Sequence, residues 1–299
     1  METIIAKKAI KDIEADLLQA KYITENNFDR LINFDCDIVG VNGNLLAKFR
    51  KGVVPIEILK LGVNSFEGSI VGSHNRGDSA GGYYHEVKKD GTQSAARMSK
   101  TIESGIVGSL EAGGLTPYCR MTSFTADYFE TYQKGIPFVK KISDLYLELA
   151  PEKYKIQKEY AKATNPNYII KDTAFSTVTV NKNFRTAVHK DVGDLGKGLG
   201  NLIAYRERDW TDGYFCLPQY RIAFDLQNTD ALFVDVHQWH ANTPFYNNEQ
   251  AEQEGIEMTD WGNNLRISFV MYYREELIKC PSPSNELKRL KNNFNFTKL

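Results

Sequence analysis

The sequence predicts an α+β fold that is mainly β, with a double-stranded β-helix core of the jelly-roll or cupin-like kind and helices packed on the outside. Short apolar segments separated by turn residues run from about residue 173 to about residue 274, which is typical of antiparallel strands with tight connections. Two stretches with helical spacing precede them, between residues 134 and 164. We therefore expect a sheet-rich core whose back is covered by helices.

The chain is expected to form one domain, because 299 residues can bury a large core and mainly-β domains often reach this length undivided. Residues 1–115 are interpreted as N-terminal helices and loops, residues 116–280 as the double-stranded β-helix with supporting helices, and residues 281–299 as a basic C-terminal tail. Apolar spacing over residues 9–20 predicts an outer helix. Its packed side chains would be Ile10, Ile13, Leu17 and Leu18.

A segment rich in Gly, Ser, Asn and Lys, residues 73–97, predicts a long loop. A long loop within a compact domain is usually functional or mobile. Two interpretations stay open for it, substrate capture and a simple surface insertion.

Pro151 separates two helical stretches, residues 142–149 and 152–163, and a proline suits the first turn of the second helix. These helices would cover the back of the sheet. Near the C terminus, the basic amphipathic run 286–291 predicts a solvated terminal helix.

The strands of the β core are predicted from alternating or short apolar runs at residues 176–180, 202–205, 213–217, 221–226, 231–236 and 266–273. We expect those between 213 and 236 to pair as consecutive antiparallel strands, because only short turns separate them. In the last strand, four alternating side chains share one face, which should look into the barrel: Arg266, Ser268, Val270 and Tyr272.

Charge and cysteine content exclude some classes of protein. The formal net charge is −1 and the pI is about 6.5, so a nucleic-acid partner would need a local basic surface. The four cysteines show no C-x-x-C pair and no tight spacing, which argues against a zinc knuckle and a disulfide framework. We interpret them as free thiols in a reducing compartment.

The N-terminal residues are followed at once by charged side chains, and no apolar run approaches the length of a membrane span. We therefore expect a soluble cytoplasmic protein without a signal peptide. Neither a membrane nor an obligate protein partner is implied.

A His-x-Asp pair, His189 and Asp191, is followed much later by His240. On an extended strand His189 and Asp191 point to the same side, whereas His240 must come from a distant strand. Two imidazoles and one carboxylate on one face of a metal leave the opposite face open, as non-haem Fe(II) oxygenases need for a cosubstrate and O₂. A surface histidine would explain the pair alone, but the three residues at strand ends together predict an iron site.

Arg266, beyond the second histidine, supplies a fork-shaped cation for a carboxylate such as the distal one of 2-oxoglutarate. Four glycines follow the His-x-Asp pair, at positions 193, 196, 198 and 200. A dinucleotide-binding turn would have to open a helix, and a strand follows here instead. A flexible rim close to the metal fits these glycines better.

Several of these segments resemble the TET/JBP dioxygenases, particularly their bacteriophage branch. The matching residues are 173–181, 184–187, 189–194, 200–202, Asp235, 239–244 and 266–268. The resemblance is strong from about residue 170 to 275 and weaker at residues 104–108 and 118–122. Residues 1–100 match nothing in the family.

The resemblance implies oxidation of the methyl group of 5-methylpyrimidines in DNA with Fe(II), 2-oxoglutarate and O₂, on a base flipped out of the duplex. Carried over to this chain, the metal ligands would be His189, Asp191 and His240, and the cosubstrate ligands Arg266, Ser268 and Arg120. Asp194 and Tyr272 stand where animal members place base-contacting residues, and Arg274 stands where they have histidine. The cysteine-rich zinc module of the animal enzymes is absent, which leaves the DNA-gripping surface unidentified.

Asp194 leads to a prediction of the base. An ionised aspartate only accepts hydrogen bonds, and the N4 amino group of cytosine donates where O4 of thymine accepts. We therefore predict that 5-methylcytosine is hydroxylated to 5-hydroxymethylcytosine. A protonated Asp194 would blur this preference, and a second interpretation is that Asp194 orients the glycine-rich loop.

Three functional classes stay open. The first is a DNA 5-methylcytosine dioxygenase, with thymine hydroxylation in DNA as its nearest alternative. The second is an oxygenase of the same fold that acts on a protein side chain or a small molecule. The third is a binding module without chemistry, against which the complete triad and Arg266 argue.

Overall fold

A computed structural model describes residues 1–85, 87–94, 96–112, 116–208 and 210–294. Its strands are β1 Glu2–Ala6, β2 Arg30–Ile32, β3 Cys36–Gly40, β4 Leu45–Arg50, β5 Val71–Ser73, β6 Ile102–Glu111, β7 Cys119–Met121, β8 Thr177–Lys182, β9 Gly200–Glu207, β10 Thr211–Asp212, β11 Phe215–Leu217, β12 Ile222–Phe224, β13 Ala231–Val234, β14 Ala241–Asn242, β15 Phe245–Tyr246 and β16 Leu265–Tyr272. The α-helices are α1 Asp12–Asp16, α2 Ile56–Phe66, α3 Ser123–Asp127, α4 Phe129–Leu149, α5 Pro151–Ala163, α6 Glu249–Gln253 and α7 Pro283–Phe294.

Two β-sheets face each other and form the jelly-roll core. The large sheet has the order β1-β3-β4-β13-β9-β16-β8-β6-β5, with β7 paired to β6, and the small sheet has the order β14-β11-β12-β2. Leu202 and Leu232 of the large sheet pack in one buried cluster with Phe215 and Phe224 of the small sheet. The predicted fold class is confirmed.

Helices cover the other face of the large sheet, as predicted. Phe138 and Ile142 of α4 are fully buried in one cluster with Phe269 of β16 and Val180 of β8. The Phe138 and Phe269 rings lie 4.9 Å apart between centroids. Because side chains alternate along a strand, the residues between these apolar ones turn toward the small sheet, where the site lies.

The helices differ from the prediction at two places. Pro151 does open α5, but α4 begins at Phe129 and continues through Pro137, so the stretch 142–149 is only its final part. The outer helix expected over residues 9–20 shrinks to the single turn of α1, and Ile13 and Leu17 are 71% and 66% exposed. Beyond α1 the chain leaves the helical path: Ala20 has a left-handed φ of 59°, and its backbone N–H donates to the carbonyl of Val188.

Residues 1–115 do not consist of helices and loops alone, contrary to the expectation, because they contain strands β1 to β6. β1 pairs in parallel with β3, and β4 pairs antiparallel with β13. The expected pairing of consecutive strands from residue 213 to 236 is also only partly right. β11 and β12 do pair, but β13 lies in the large sheet between β4 and β9.

The segment 73–97 is mainly loop where it is described, with one helical turn at Gly77–Ala80, which agrees with the prediction. The expectation of four free thiols is wrong for two of them, since Cys119 and Cys280 form a disulfide. They are 161 residues apart in sequence, and folding brings β7 beside the segment that follows β16. Cys36 and Cys216 are free and buried. Within the described part of the chain, none of the helices is long and apolar enough to span a bilayer.

Candidate metal centre and active site

His189, Asp191 and His240 come together with the geometry that the sequence predicts. Nε2 of His189 lies 3.6 Å from Oδ1 of Asp191, and Nε2 of His240 lies 3.9 Å from Oδ2 of the same carboxylate. The potential ligand atoms of the three side chains all lie within 4.8 Å of one another. A single ion can therefore contact all three residues.

Backbone hydrogen bonds position these ligands. The N–H groups of His189 and His240 each donate to the other residue's carbonyl at 3.0 Å. The N–H of Asp191 donates to the carbonyl of Val236, also at 3.0 Å. The pair thus lies on an extended segment beside the segment that follows β13, so a metal site forms only after the sheet has closed.

The hydrogen bonds of both imidazoles leave Nε2 available for a metal. Nδ1 of His189 lies 2.8 Å from the carbonyl of Ala187, and Nδ1 of His240 lies 3.0 Å from that of Gln238. A carbonyl only accepts, so Nδ1 carries the proton and Nε2 presents its lone pair. Burial, followed by the nearby His189, lowers the pKa of His240 to about 4 and keeps its ring neutral. Two neutral nitrogens and one carboxylate oxygen match the ligand preference of Fe(II).

The triad opens into a cavity of about 200 Å³ between the two sheets. All but one of the site residues predicted from the sequence line it, namely His189, Asp191, His240, Arg266, Ser268, Asp194, Tyr272 and Arg274. The cavity-facing alternation expected for the last strand is also confirmed, since Val270 completes the face. Phe215 of β11 supports the site by stacking on His240, with 5.3 Å between ring centroids.

Arg266 brings an uncompensated positive charge to the cavity. Its side chain is buried and stacks on Phe245 at 5.5 Å, and it forms no ion pair with a carboxylate of the described residues. Burial, and next the charge of Arg206, lower the pKa of Arg266 to about 10. A buried guanidinium without a partner is costly, so this position favours an anionic ligand.

Arg274 lies in the same cavity and does have a partner. Its Nε donates to both oxygens of the Glu111 carboxylate, at 2.8 and 2.7 Å. Although burial lowers the pKa of Arg274, the hydrogen bonds to Glu111 raise it above its usual value. Glu111, at the end of β6, thereby fixes Arg274, and sequence reasoning did not identify it.

Asp194 is buried, and its Oδ2 atom has no hydrogen-bond partner among the described residues. Its backbone forms an antiparallel bridge with Arg274. Burial, and then the charge of Asp191, raise the pKa of Asp194 well above its ordinary value. A buried carboxyl group with one free oxygen at the cavity wall is suited to hydrogen bonding with a ligand.

The structure does not bring Arg120 to the cavity. Its Nη1 atom donates to the carbonyls of Ala112 and Pro117 at 2.9 and 2.8 Å, so the guanidinium binds backbone carbonyls close to the start of β7. Arg120 does not line the cavity of the triad, so the structure does not support the expected contact between Arg120 and the cosubstrate.

Arg76 occupies the cavity wall instead, and the sequence analysis missed it. Its guanidinium donates to Oγ of Ser104 in a short hydrogen bond and approaches the Gly105 carbonyl at 3.4 Å. Burial lowers the pKa of Arg76, while Tyr272 and Asp191 act in the opposite direction. Its position in the long loop, for which substrate capture was one of the two interpretations, was the available signal.

The family comparison matches residues 111–275 to Tet_JBP, described as the oxygenase domain of the 2OGFeDO superfamily. Oxygenase domains of this superfamily use Fe(II), 2-oxoglutarate and O₂, and the His-Asp-His triad lies inside the matched range.

Among curated proteins, a thymine dioxygenase, JBP1 of Trypanosoma brucei brucei, is 33% identical over 209 residues, which cover 69% of this chain and 23% of the relative. A bifunctional helicase and thymine dioxygenase, JBP2 of the same organism, is 36% identical over 175 residues, or 58% of this chain and 15% of the relative. The match thus spans less than a quarter of the length of each relative.

Among solved structures, NgTET1 in complex with 5mC DNA aligns with a TM-score of 0.58 and 16% identity, over 91% of this chain and 88% of that chain. At that identity the likeness supports the fold alone.

Proposed function

This chain belongs to the Tet/JBP family of 2-oxoglutarate- and Fe(II)-dependent oxygenase domains, and we propose that it hydroxylates the methyl group of a 5-methylpyrimidine base in DNA. The observation that carries the proposal is one cavity with three kinds of group on its wall. These are the His-Asp-His triad, the unpaired cation Arg266 and the buried carboxyl group of Asp194.

His189, Asp191 and His240 would hold the iron, as their distances and free Nε2 atoms fit. When bound, Fe(II) supplies the coupling of 2-oxoglutarate decarboxylation by O₂ to hydroxylation of an unactivated C–H bond. The protein orients the three ligands through the backbone hydrogen bonds that join the segment of His189 and Asp191 to the segment of Val236 and His240. Burial keeps the imidazole of His240 neutral.

Arg266 would bind the distal carboxylate of 2-oxoglutarate through its planar fork of donors. Ser268 lies two residues along the same face of β16 and would donate its hydroxyl to that carboxylate. Arg76 places a second cation on the cavity wall, next to Tyr272, and would attract the anionic cosubstrate to the metal side. Each of the two carboxylates of 2-oxoglutarate would then have an arginine nearby.

Asp194, Tyr272 and Arg274 would face the target base. A methyl group inside a duplex cannot reach the triad, so the nucleotide must leave the stack and enter the cavity. A neutral carboxyl group both donates and accepts, and it can pair with the Watson–Crick edge of either pyrimidine. Arg274 is held in place by Glu111 and adds a fixed donor beside that edge.

5-Methylcytosine is our first candidate base. An ionised Asp194 would accept from N4 of cytosine and would find no donor at O4 of thymine. A bacteriophage origin stays a prediction.

Thymine is the second candidate, and a specific observation favours it. The two trypanosome relatives at 33% and 36% identity are named thymine dioxygenases. The raised pKa of Asp194 also permits a proton on this carboxyl group, and a protonated carboxyl group can donate to O4 of thymine.

The test uses matched duplexes with a single 5-methylcytosine or a single thymine of interest. Iron, 2-oxoglutarate and protein are added, and hydroxymethyl products and succinate are quantified by mass spectrometry. We expect product from the 5-methylcytosine duplex that exceeds product from thymine, free nucleotides and methylated peptides. A higher yield from the thymine duplex would identify thymine, and not 5-methylcytosine, as the target base. Turnover only with nucleotides or peptides would refute a DNA substrate.

Asp191→Ala is the matched inactive protein for this assay. Loss of an outer hydrogen-bond partner of a metal ligand already costs about 10- to 100-fold, so loss of the ligand itself should reduce turnover by more than about 100-fold. Full activity of Asp191→Ala would refute the assignment of the triad.

A further inference from the structure

We propose that an exposed groove beside the catalytic cavity binds the DNA strand next to the flipped nucleotide. We call it the tyrosine groove, and its principal residues are Lys21, Tyr22, Tyr83, Tyr84 and Lys100. The inference rests on the proposed DNA substrate and identifies the surface that holds it. These residues belong to the part of the chain for which the sequence offered no functional match.

The tyrosine groove adjoins the metal centre through backbone hydrogen bonds. The N–H of Ala187 donates to the carbonyl of Ser79 at 2.8 Å, and the N–H of Val188 donates to the carbonyl of Lys21 at 2.9 Å. Ser79 lines the catalytic cavity, and its neighbour Ala80 lines the groove. The next residue after Val188 is the metal ligand His189, so a ligand in the groove would lie beside the segment that leads to the metal centre.

Tyrosine rings are exposed at this surface. Tyr83 is 81% exposed and Tyr22 is 45% exposed. Tyr83 follows Gly81 and Gly82, whose φ angles of 85° and 78° are left-handed and suit glycine. A Cβ atom on Gly81 would lie 3.3 Å from the Tyr22 ring, so the glycine lets the loop pack closely against that tyrosine. Two exposed rings that line the same groove form an aromatic patch, and such patches are typical of binding surfaces.

The lysines of the groove carry free positive charge. Neither Lys21 nor Lys100 forms an ion pair with a carboxylate in the described part of the chain, and Nζ of Lys100 lies 5.6 Å from the centre of the Tyr84 ring. Arg185 lies 5.1 Å from the Tyr22 ring. The nearby carboxylate of Asp78 accepts a hydrogen bond from Gln19 at 2.6 Å.

Free cations interleaved with exposed aromatic rings match the chemistry of a nucleic-acid strand. Phosphates pair with lysine, and unstacked bases stack on tyrosine at about 1–3 kcal/mol per base. The net charge of −1 gives the molecule no overall attraction for DNA, so a local patch of this kind has to supply it. Flipping one nucleotide exposes the faces of its neighbours, and Tyr83 in the adjoining groove would stack on one of them.

The first experiment measures binding of a fluorescent duplex with one 5-methylpyrimidine, by anisotropy at several salt concentrations. The double variant Lys21→Ala/Lys100→Ala should bind more weakly and lower the slope of log affinity against log salt by about 2, since each phosphate contact contributes about 0.9. Tyr83→Ala should weaken binding by about 5- to 150-fold, whereas Tyr83→Phe keeps the ring and should bind like the wild type.

Lys60→Ala and Tyr128→Ala are the matched controls. Lys60 lies on α2, and Tyr128, which precedes α4, is 60% exposed, so each control removes a comparable exposed side chain elsewhere. Affinity for 2-oxoglutarate, measured by calorimetry, should be unchanged in all of these variants. Equal affinity confirms that a groove variant remains folded around an intact cavity.

The second experiment locates the strand directly. Duplexes carry 5-iodouracil one to three nucleotides to either side of the target base, and ultraviolet light crosslinks this base to an adjacent aromatic ring. We expect peptides that contain Tyr83 or Tyr22 to be attached on one side of the target. Crosslinks confined to other segments would overturn the proposal.

The outcomes separate this inference from the proposed function. If the wild type oxidises DNA but the groove variants bind DNA like Lys60→Ala and Tyr128→Ala, the tyrosine groove is not the DNA surface while the function stands. A protein segment would then be the remaining occupant for the groove. If the wild type neither binds nor oxidises DNA while it turns over another substrate, the proposed function fails first.

Discussion

Arg266 and Arg274 lie at the two ends of the same stretch of chain and line the same cavity, but their charges are balanced differently. Arg274 is bound by both oxygens of Glu111, whereas the side chain of Arg266 stacks on the ring of Phe245 and forms no ion pair with a carboxylate of the described residues. The pKa of Arg274 is correspondingly raised, and that of Arg266 is lowered to about 10.

The difference separates a cation that is part of the folded structure from one that awaits a ligand. An ion pair inside a protein compensates the desolvation of both groups, while an unpaired buried charge reduces stability until an anion arrives. Arg274 with Glu111 therefore forms a fixed part of the cavity wall, which in the proposed function faces the base, whereas Arg266 would supply binding energy for the proposed cosubstrate. Changes in the two residues should affect different properties.

The largest effect should follow from removal of Glu111. Glu111→Ala leaves the Arg274 guanidinium uncompensated, and we expect the free energy of unfolding to fall by about 3 kcal/mol. Urea denaturation measures it. The control Glu103→Ala removes an exposed carboxylate that lies 3.5 Å from Lys182, and it should cost less than about 1 kcal/mol. Equal losses in the two variants would contradict the role given to Glu111.

Arg266→Met should have the opposite profile. Loss of the charge-assisted fork should weaken 2-oxoglutarate binding by about 2–3 kcal/mol, or roughly 30- to 150-fold. Stability should be nearly unchanged or higher, because the variant removes an unpaired buried charge. Calorimetric titration with 2-oxoglutarate and urea denaturation report the two quantities. A large loss of stability without a loss of affinity for 2-oxoglutarate would show that Arg266, like Arg274, has a structural role.

Arg76 offers a smaller test of the same distinction. Its guanidinium contacts Ser104 and the Gly105 carbonyl rather than a carboxylate. Arg76→Met should weaken 2-oxoglutarate binding by about 1–2 kcal/mol, measured by the same titration. Arg120→Met, outside the cavity, is the matched control and should leave that affinity unchanged. Weaker binding in Arg120→Met and unchanged binding in Arg76→Met would instead support the contact between Arg120 and the cosubstrate that the sequence predicts.

Asp212 illustrates a third way to accommodate a buried charge, which is to keep a proton. Burial, and next the neighbouring Glu25 carboxylate, raise the pKa of Asp212 from 3.8 to about 8. A carboxyl group with a raised pKa in the folded state favours folding at low pH, and this contribution is lost as the pH rises from about 4 to about 8.

Asp212→Asn should therefore be less sensitive to pH than the wild type. Asparagine tolerates the φ angle of 63° at this position and retains a donor toward Glu25. Between pH 6 and pH 9 the wild type should lose on the order of 1 kcal/mol more stability than the variant, because the titrations of Asp212 and Glu25 interact and reduce the full effect. Thermal unfolding across this range measures it, and parallel curves would show that Asp212 is ionised throughout.

The sequence alone determined the fold class, the triad and the cavity-facing side of β16. These features are local or periodic, since His189 and Asp191 are two apart and alternation along one strand assigns Arg266, Ser268 and Tyr272 to one face. The resemblance added Asp194 and Arg274, and the structure places both in the cavity.

Only the tertiary structure decided which distant segments complete the site. β4 pairs with β13, and Glu111 forms an ion pair with Arg274. Arg76 lies in the cavity wall, whereas Arg120 lies outside the cavity. The folded core decides each of these features, and the sequence pattern does not. Periodicity states which face of a segment is buried but not what lies against it, because pairing is selected by the packing of the whole core. For the same reason Cys119 and Cys280 could not be paired from their spacing.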